Sequence, residues 1–556
     1  MHARGRADTR RASPQCGWLP RLRVPGRCPS RRCVHPGACR LGLTHVGLPW
    51  RLSARLLFVR PLQRTPLTCA PRHSHKAVSA PKTASKRSTR GLVAAAAADK
   101  ELAVATPNAT QPAPLAASLR KALPVAAIAM MASLVFAPAS TASTGAALVA
   151  QVAAAAPAID SAATAWILVS SALVLFMSIP GLALFYAGLV RAKNALSVLV
   201  HCFVLVASGT VTWLALGYSL SFAPGSAFVG GLSKAFLSGV TQASVANNIP
   251  ELLWFMFQGT FYIITPGLMV GAFVERLKLT SFLVFTSLWS ILVYTPICHM
   301  VWGGGWLASM GVLDFAGGIV VHITAGVGAL LTCIALGPRK QNKMTPHNLP
   351  MAITGAGMLW VGWYGFNGGS AVAAGALAAS AIVVSQISAS VAALTWMLLD
   401  WKENKPTSLG LITGSIAGLA AITPAAGVVG VPGALAIGIA SACICRFCST
   451  TVKAKYAYDD SLDVFGVHGV GGFVGTILLA IFGHTSMGGT NTVAIAKQLG
   501  LQSFASGFAI VYTLVVSYAL LKVTAAITGG LRVDNLTETK GLDAAELGEE
   551  AYLEVA

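Results

Sequence analysis

Two histidines stand in matching local sequences. His322 lies in V-H-I-T-A-G-V-G-A-L-L (321–331) and His468 in V-H-G-V-G-G-F-V-G-T-I-L-L (467–479). Each follows a valine and has a glycine four positions on, Gly326 and Gly472. Two neutral imidazoles in contact can share a proton, one nitrogen donating and the other accepting. Such a pair can relay a proton or guide a small polar solute, but it is no fixed charge. The alternative is two structural histidines, each bonded to a backbone carbonyl. Asp314, in V-L-D-F-A-G-G, can ligate a cation or cap the N–H groups of a helix start. Capping is the favoured role, with an electrostatic bias on an approaching cation. F-Q-G-T-F puts Phe257 and Phe261 on one helix face at i and i+4. Trp254, Trp302, Trp363 and Phe366 add aromatic surface, ordinarily found at the membrane interface or facing lipid. An indole face can also hold a small cation, worth about 2 kcal/mol when desolvated.

The elements that must position these residues are membrane helices. Of 556 residues, 55% are hydrophobic and 11% charged, against about 25% charged in a soluble domain. With 56 glycines and a mean hydropathy of +0.67, the chain reads as an all-α polytopic membrane protein. Apolar stretches fall at roughly 163–189, 196–222, 250–273, 280–302, 312–337, 348–369, 376–400, 408–424, 428–450, 464–483 and 501–530. That predicts eleven transmembrane helices. With the mature N-terminus outside, fourteen Lys and Arg residues fall in inside breaks and two, Lys234 and Lys497, in outside breaks. The bias predicts an N-out, C-in chain. The histidines then belong to the fifth and tenth spans, so spans 1–5 and 6–10 form a 5+5 inverted repeat with a final helix outside it. Inverted repeats place a pathway at their interface near the midplane. Few ionisable residues lie within the spans: Asp314, His322 and His468, with Asp463 where the tenth begins. Glu275 and Arg276 are adjacent at a span end, as an interfacial pair would be.

The net charge of +21 belongs almost wholly to residues 1–100, whose net is +19, against +2 for the rest. No nucleic-acid partner is expected. Residues 1–98 form a basic, transit-like leader. Residues 99–160 hold a signal-peptide-like segment and spacer, with Arg120 and Lys121 before a short apolar run. A tandem leader fits a plastid address; a cleaved secretory signal behind an overextended start is the alternative. The target is therefore the plasma membrane or a chloroplast membrane. Asn108 opens a sequon that is a chance match within the leader. Five of the eleven cysteines lie in the leader. The C-I-C-R-F-C cluster (443–448) reads as small residues near a helix end rather than a metal or lipidation site, since no second cluster completes a zinc site. Residues 161–530 form the transmembrane domain and 531–556 a cytoplasmic tail.

The sequence resembles the ammonium transporter family (Amt/Mep/Rh), on its Amt side. The resemblance rests on I-P-G-L-A-L-F-Y-A-G-L-V-R-A-K-N (179–194), F-Q-G-T-F (257–261), G-L-M-V-G-A-F-V-E-R (267–276) and H-M-V-W-G-G-G (299–305). It continues with L-D-F-A-G-G-I-V-V-H (313–322), P-H-N-L-P (346–350), G-W-Y-G-F-N-G-G-S (362–370) and D-V-F-G-V-H-G-V-G-G (463–472), in family order from about 160 to 552. It implies a homotrimer with one pore per subunit. Trp302, Phe257 and Ser370 match an outer site that recruits ammonium, and Asp314 the acid near it. Phe261 and Phe366 match a two-phenyl gate, His322 and His468 the twin histidines of the pore, and Trp363 a further pore aromatic. Ammonium would shed a proton near the gate and pass as ammonia, with methylammonium as an analogue. No cofactor, metal or enzymatic turnover is expected. The tail resembles the family's regulatory tail, which packs on neighbouring subunits, and a PII-type protein is a possible partner. Leu547 departs from the histidine found there in many members, and Thr537 and Thr539 are phosphosites only as exposed hydroxyls. Two rival readings stand beside transport: a neutral gas channel of the Rh type, disfavoured by the outer-site residues, and an ammonium sensor signalling through its tail.

Overall fold

The computed structural model describes residues 158–341 and 345–552. The leader, the signal-like segment up to residue 157 and the last four residues lie outside the described residues. So does the part of the 99–160 boundary that falls before residue 158. The described chain is mainly helical. Its helices are α1 (Ser161–Leu189), α2 (Ala192–Phe222), α3 (Glu251–Phe273), α4 (Leu279–Met310, interrupted over 302–305) and α5 (Gly318–Leu336). They continue with α6 (Leu349–Trp363), α7 (Ala376–Glu403), α8 (Ser408–Ile422), α9 (Val431–Tyr456), α10 (Phe465–Phe482), α11 (Ile495–Thr528) and the short tail helix α12 (Asn535–Lys540). One small hairpin, β1 (Val245–Ala246) with β2 (Ile249–Pro250), precedes α3. Among the described residues, nine helices are long and apolar enough to cross a membrane. The two other apolar stretches also carry helices: α6, which runs on through a π-helical turn at Tyr364–Gly368, and the 15-residue α8.

Side-chain caps start several of these helices. Asp160 accepts from Ala163 N at 2.7 Å, Asn348 from Met351 N at 2.9 Å and Thr407 from Gly410 N at 2.8 Å. Each satisfies an N–H that the first helical turn leaves without a partner. The packing of the two halves corresponds. α3 lies on α1, α2 and α5, and α8 lies in the same way on α6, α7 and α10. Single π-helical turns recur at paired places in α4 (Ser290–Tyr294) and α9 (Cys448–Val452), and in α5 (Gly318–Ile323) and α10 (Phe465–Gly469), while α2 and the end of α6 carry one each and α1 is kinked at Ile179. Such turns concentrate at functional sites, and the last pair carries His322 and His468.

Where α5 and α10 cross, the glycine four residues after each histidine has a packing reason. A Cβ on Gly472 would lie 2.7 Å from the His322 Cβ and 2.7 Å from the Gly318 carbonyl oxygen. A Cβ on Gly326 would run into the Gly469 backbone. The two glycines therefore let the histidine-bearing turns touch.

At the end of the bundle where the basic loops gather, Glu275 and Arg276 do not pair with each other. Glu275 binds Arg191 at 2.6 Å and Arg339 at 3.2 Å, while Arg276 lies nearer Asp459. A side chain turned inward from one end of α3 meets the loops of other helices before it meets its neighbour. Burial alone would raise the Asp459 carboxyl, but the Arg339 and Arg276 guanidiniums outweigh it and hold it down at about 2. The tail knits onto the same end. Asp543 accepts from Leu196 N and Ser197 N at 2.9 and 2.6 Å in α2, and Glu546 accepts from Leu279 N at 3.1 Å at the start of α4.

Candidate functional site

Asp314 organises the turn that delivers His322. Its Oδ1 accepts from Gly317 N and Gly318 N at 3.0 and 2.5 Å, and its Oδ2 from Ile319 N and Val320 N at 2.8 and 3.0 Å. Four N–H groups at a helix start have no partner within the helix, and one carboxylate takes all four here. Of the two roles open to this aspartate, the structure has the cap. Its carbonyl oxygen also accepts the Trp302 indole N–H at 2.7 Å. Asp314 thus joins the interruption of α4, where Trp302 sits, to the start of α5.

From Trp302 a file of rings runs into the bundle. Trp302 lies edge-on to Phe261 with centroids 5.9 Å apart, and Phe261 stacks on Phe366 at 4.2 Å and 28°. Phe366 lies 6.2 Å from His322, and His322 stacks on His468 at 5.3 Å and 18°. Phe261, Phe366, His322 and His468 are all buried. Phe257 packs on Phe261 at 5.1 Å, as their one-turn spacing requires. Trp363 stacks on His322 at 5.6 Å, its N–H held by the Thr423 hydroxyl at 2.9 Å. Ser370 follows the turn that carries Phe366 and donates to the Phe366 carbonyl at 2.8 Å. The adjoining Gly369 lies against the Phe257 ring.

The two imidazoles meet through their Nδ1 atoms at 3.3 Å. Neither is bonded to a backbone carbonyl among the described residues, so the alternative of two independently anchored histidines does not hold. If one Nδ1 carries the shared hydrogen, the other presents a lone pair, and the two outer Nε2 atoms take opposite roles. The His322 Nε2 is buried without a protein partner. It is free for a small solute inside the file. Beyond His468 the bundle opens into a cavity of about 610 Å³, lined also by Lys453, Asp459 and Asp463. The file is thus closed by phenyl rings on one side and opens to a cavity with charged residues in its lining on the other.

One capping residue was missed. Asp463 lies just before α10, where the tenth span begins. It pairs with Lys453 at 2.7 Å. The cap is Asp460, fully buried, which accepts from Phe465 N at 2.8 Å. Burial, with the Asp463 charge beside it, pushes its carboxyl up to about 6. Asp460 stands eight residues before His468, as Asp314 stands eight before His322. That spacing is visible in the sequence and identifies both caps. In the cysteine cluster, Cys445 is buried and Cys443 exposed, so the thiols of this segment face different ways. Among the described residues no group of three or more His, Cys, Asp or Glu is placed to hold a metal.

Comparison with known proteins agrees with this architecture. The sequence profile of the Ammonium Transporter Family matches residues 165–552. An ammonium transporter of Aquifex aeolicus is 43% identical over 399 residues, covering 71% of this chain and 94% of that protein. Among solved structures, Candida albicans Mep2 has a TM-score of 0.63 at 38% identity and covers 68% of this chain and 87% of its own. A structure titled Sensor Amt Protein has a TM-score of 0.65 at 26% identity, covering 69% of this chain and 98% of its own. Fold and matches define an integral membrane transporter, not an enzyme. The chain belongs to the ammonium transporter family.

Proposed function

We propose that this chain recruits ammonium at Trp302, Phe257 and Ser370, that the ion gives one proton to water on the outer side of the Phe261–Phe366 gate, and that ammonia passes Trp363 and the His322–His468 pair, with or without that proton following by a separate route. The observation that carries the reading is the 3.3 Å contact between two buried imidazoles at the end of a continuous aromatic file. Ammonium can donate four hydrogen bonds, and phenyl rings offer no acceptor to replace its water. A bare charge in such a file is heavily penalised, whereas neutral ammonia needs only one acceptor and one donor, which the two imidazoles supply. Asp314 contributes through its charge and through the carbonyl that fixes Trp302, since both of its carboxylate oxygens are engaged.

The same reading has eleven spans, N-out and C-in, so the cavity below His468 and the tail face the cytoplasm. It has three copies of the chain assembled as a homotrimer, residues 1–98 and 99–160 as targeting leader and spacer, and 531–556 as a regulatory tail that a PII-type protein could contact. The plasma membrane and a chloroplast membrane are both compatible with the leader, and imaging a fluorescent fusion separates them. The tail bonds to α2 and α4 give a sensor a physical route from pore to cytoplasm, so sensing is the second reading.

Expression in cells lacking ammonium uptake tests the choice. Transport predicts growth on low ammonium. A signalling response without growth would favour the sensor. In the same cells Trp302→Leu removes the indole face and the bond to Asp314. A desolvated cation–π contact of about 2 kcal/mol corresponds to a rise in half-saturating methylammonium of about thirtyfold. Maximal uptake should change much less. An unchanged concentration dependence would contradict recruitment at Trp302.

A further inference from the structure

α11 has no counterpart in either half, yet it carries a polar stripe on its inward side. Gln498, Gln502, Ser506, Thr513, Ser517 and Thr524 are all fully buried, and their spacings of four and seven place them on one helical face. Membrane helices turn polar side chains toward protein partners. Here the two glutamines find theirs immediately before Asp314. Gln502 Nε2 donates to the Leu313 carbonyl at 2.6 Å, and Gln502 Oε1 accepts from Leu313 N at 3.0 Å. Gln498 Nε2 donates to the Gly311 carbonyl at 3.2 Å and to Gln502 Oε1 at 3.1 Å. One carboxamide therefore satisfies both backbone groups of Leu313, as a neighbouring strand would.

The same helix also backs the interruption of α4. Phe504 and Phe508 lie edge-on to Trp306, with centroids 5.8 and 5.1 Å away. On its other side the segment is pinned by Phe315 N donating to the Pro424 carbonyl at 3.1 Å. Asp314 is held between these two anchors, and its carbonyl sets the Trp302 indole. We infer that Gln502, assisted by Gln498, is a positioning residue for the outer recruitment site: α11 fixes the height of Asp314 and, through it, the orientation of Trp302. The inference rests on the recruitment reading above.

The test is methylammonium uptake by the full chain carrying Gln502→Glu. The glutamate can still accept from Leu313 N but sets an oxygen against the Leu313 carbonyl where a donor stood. With the Asp314 carbonyl displaced, the Trp302 indole is no longer set, so half-saturating methylammonium should rise by about tenfold, approaching the effect of losing the indole itself, with maximal uptake per folded protein within about twofold. Gln502→Glu added to Trp302→Leu should raise the half-saturating concentration no further, because both changes act on the same indole. Two results overturn the inference: an unchanged half-saturating concentration, or an effect that adds in full to that of Trp302→Leu. If Gln502→Glu does not reach the membrane, Gln502→Leu, which removes both bonds to Leu313 without adding a charge, is read in the same way. An unchanged half-saturating concentration in that variant overturns the inference equally. Trp302→Leu alone separates the two readings. If it leaves affinity unchanged, recruitment itself fails; if it lowers affinity and Gln502→Glu does not, only the positioning role fails.

Discussion

Alanine in place of His322 or His468 is expected to change the ratio of ammonium to potassium flux by at least about tenfold, with the amount of folded protein in the membrane within about twofold. Each substitution takes from the passing ammonia one of its two hydrogen-bonding partners in an apolar file. A buried polar group without a partner costs about 1–3 kcal/mol, and 1.4 kcal/mol is a factor of ten. His468→Ala has a second consequence. The ring separates the file from the cavity of about 610 Å³, and its loss lets water from that cavity reach as far as His322. A water-filled path no longer rejects a cation that keeps its hydration. Parallel flux measurements with membrane quantification check this. An unchanged flux ratio with folded protein lost in proportion to transport would make the histidines structural.

Asp314→Ala is expected to abolish folded protein, a larger effect on stability than any of the pore substitutions. Four N–H groups lose their acceptor at once. At about 1–3 kcal/mol for each unpaired group, the loss is comparable to the whole margin of roughly 5–15 kcal/mol that holds a folded protein. Asp314→Asn keeps one acceptor oxygen and turns an amide toward the other two N–H groups. It should be intermediate, with a measurable but lowered melting temperature in detergent. Wild-type thermal stability in Asp314→Ala would remove the cap from the account.

Hydropathy located the helices because the bilayer imposes length and apolarity on every span. It was less faithful at ends where polar residues serve the interior. α11 begins at Ile495, six residues before the stretch read from hydropathy, because Lys497 and Gln498 lower the average there while forming part of the helix. The fifth helix begins at Gly318 rather than near 312, because the segment before it is the non-helical turn that Asp314 caps. The twin histidines and Asp314 were legible through residue type, since charged and titratable groups are rare in spans. Gln502 was not, because a neutral amide attracts no notice among apolar residues until its backbone partners are seen. Asp460 was hidden differently. Asp459, Asp460 and Asp463 crowd one segment, and only the eight-residue spacing shared with Asp314 and His322 selects among them. The π-helical turns that carry His322 and His468 lie where α5 crosses α10, a contact that local propensity does not reveal.

Potassium carries the same charge as ammonium and is nearly its size, but it has no proton to lose. The most direct measurement is therefore flux of the two ions through the full chain reconstituted in vesicles, under identical gradients. Passage as ammonia predicts ready flux of ammonium and methylammonium with potassium flux no greater than in protein-free vesicles. Potassium flux equal to that of ammonium would mean that an intact cation crosses the phenyl gate, and would contradict the account.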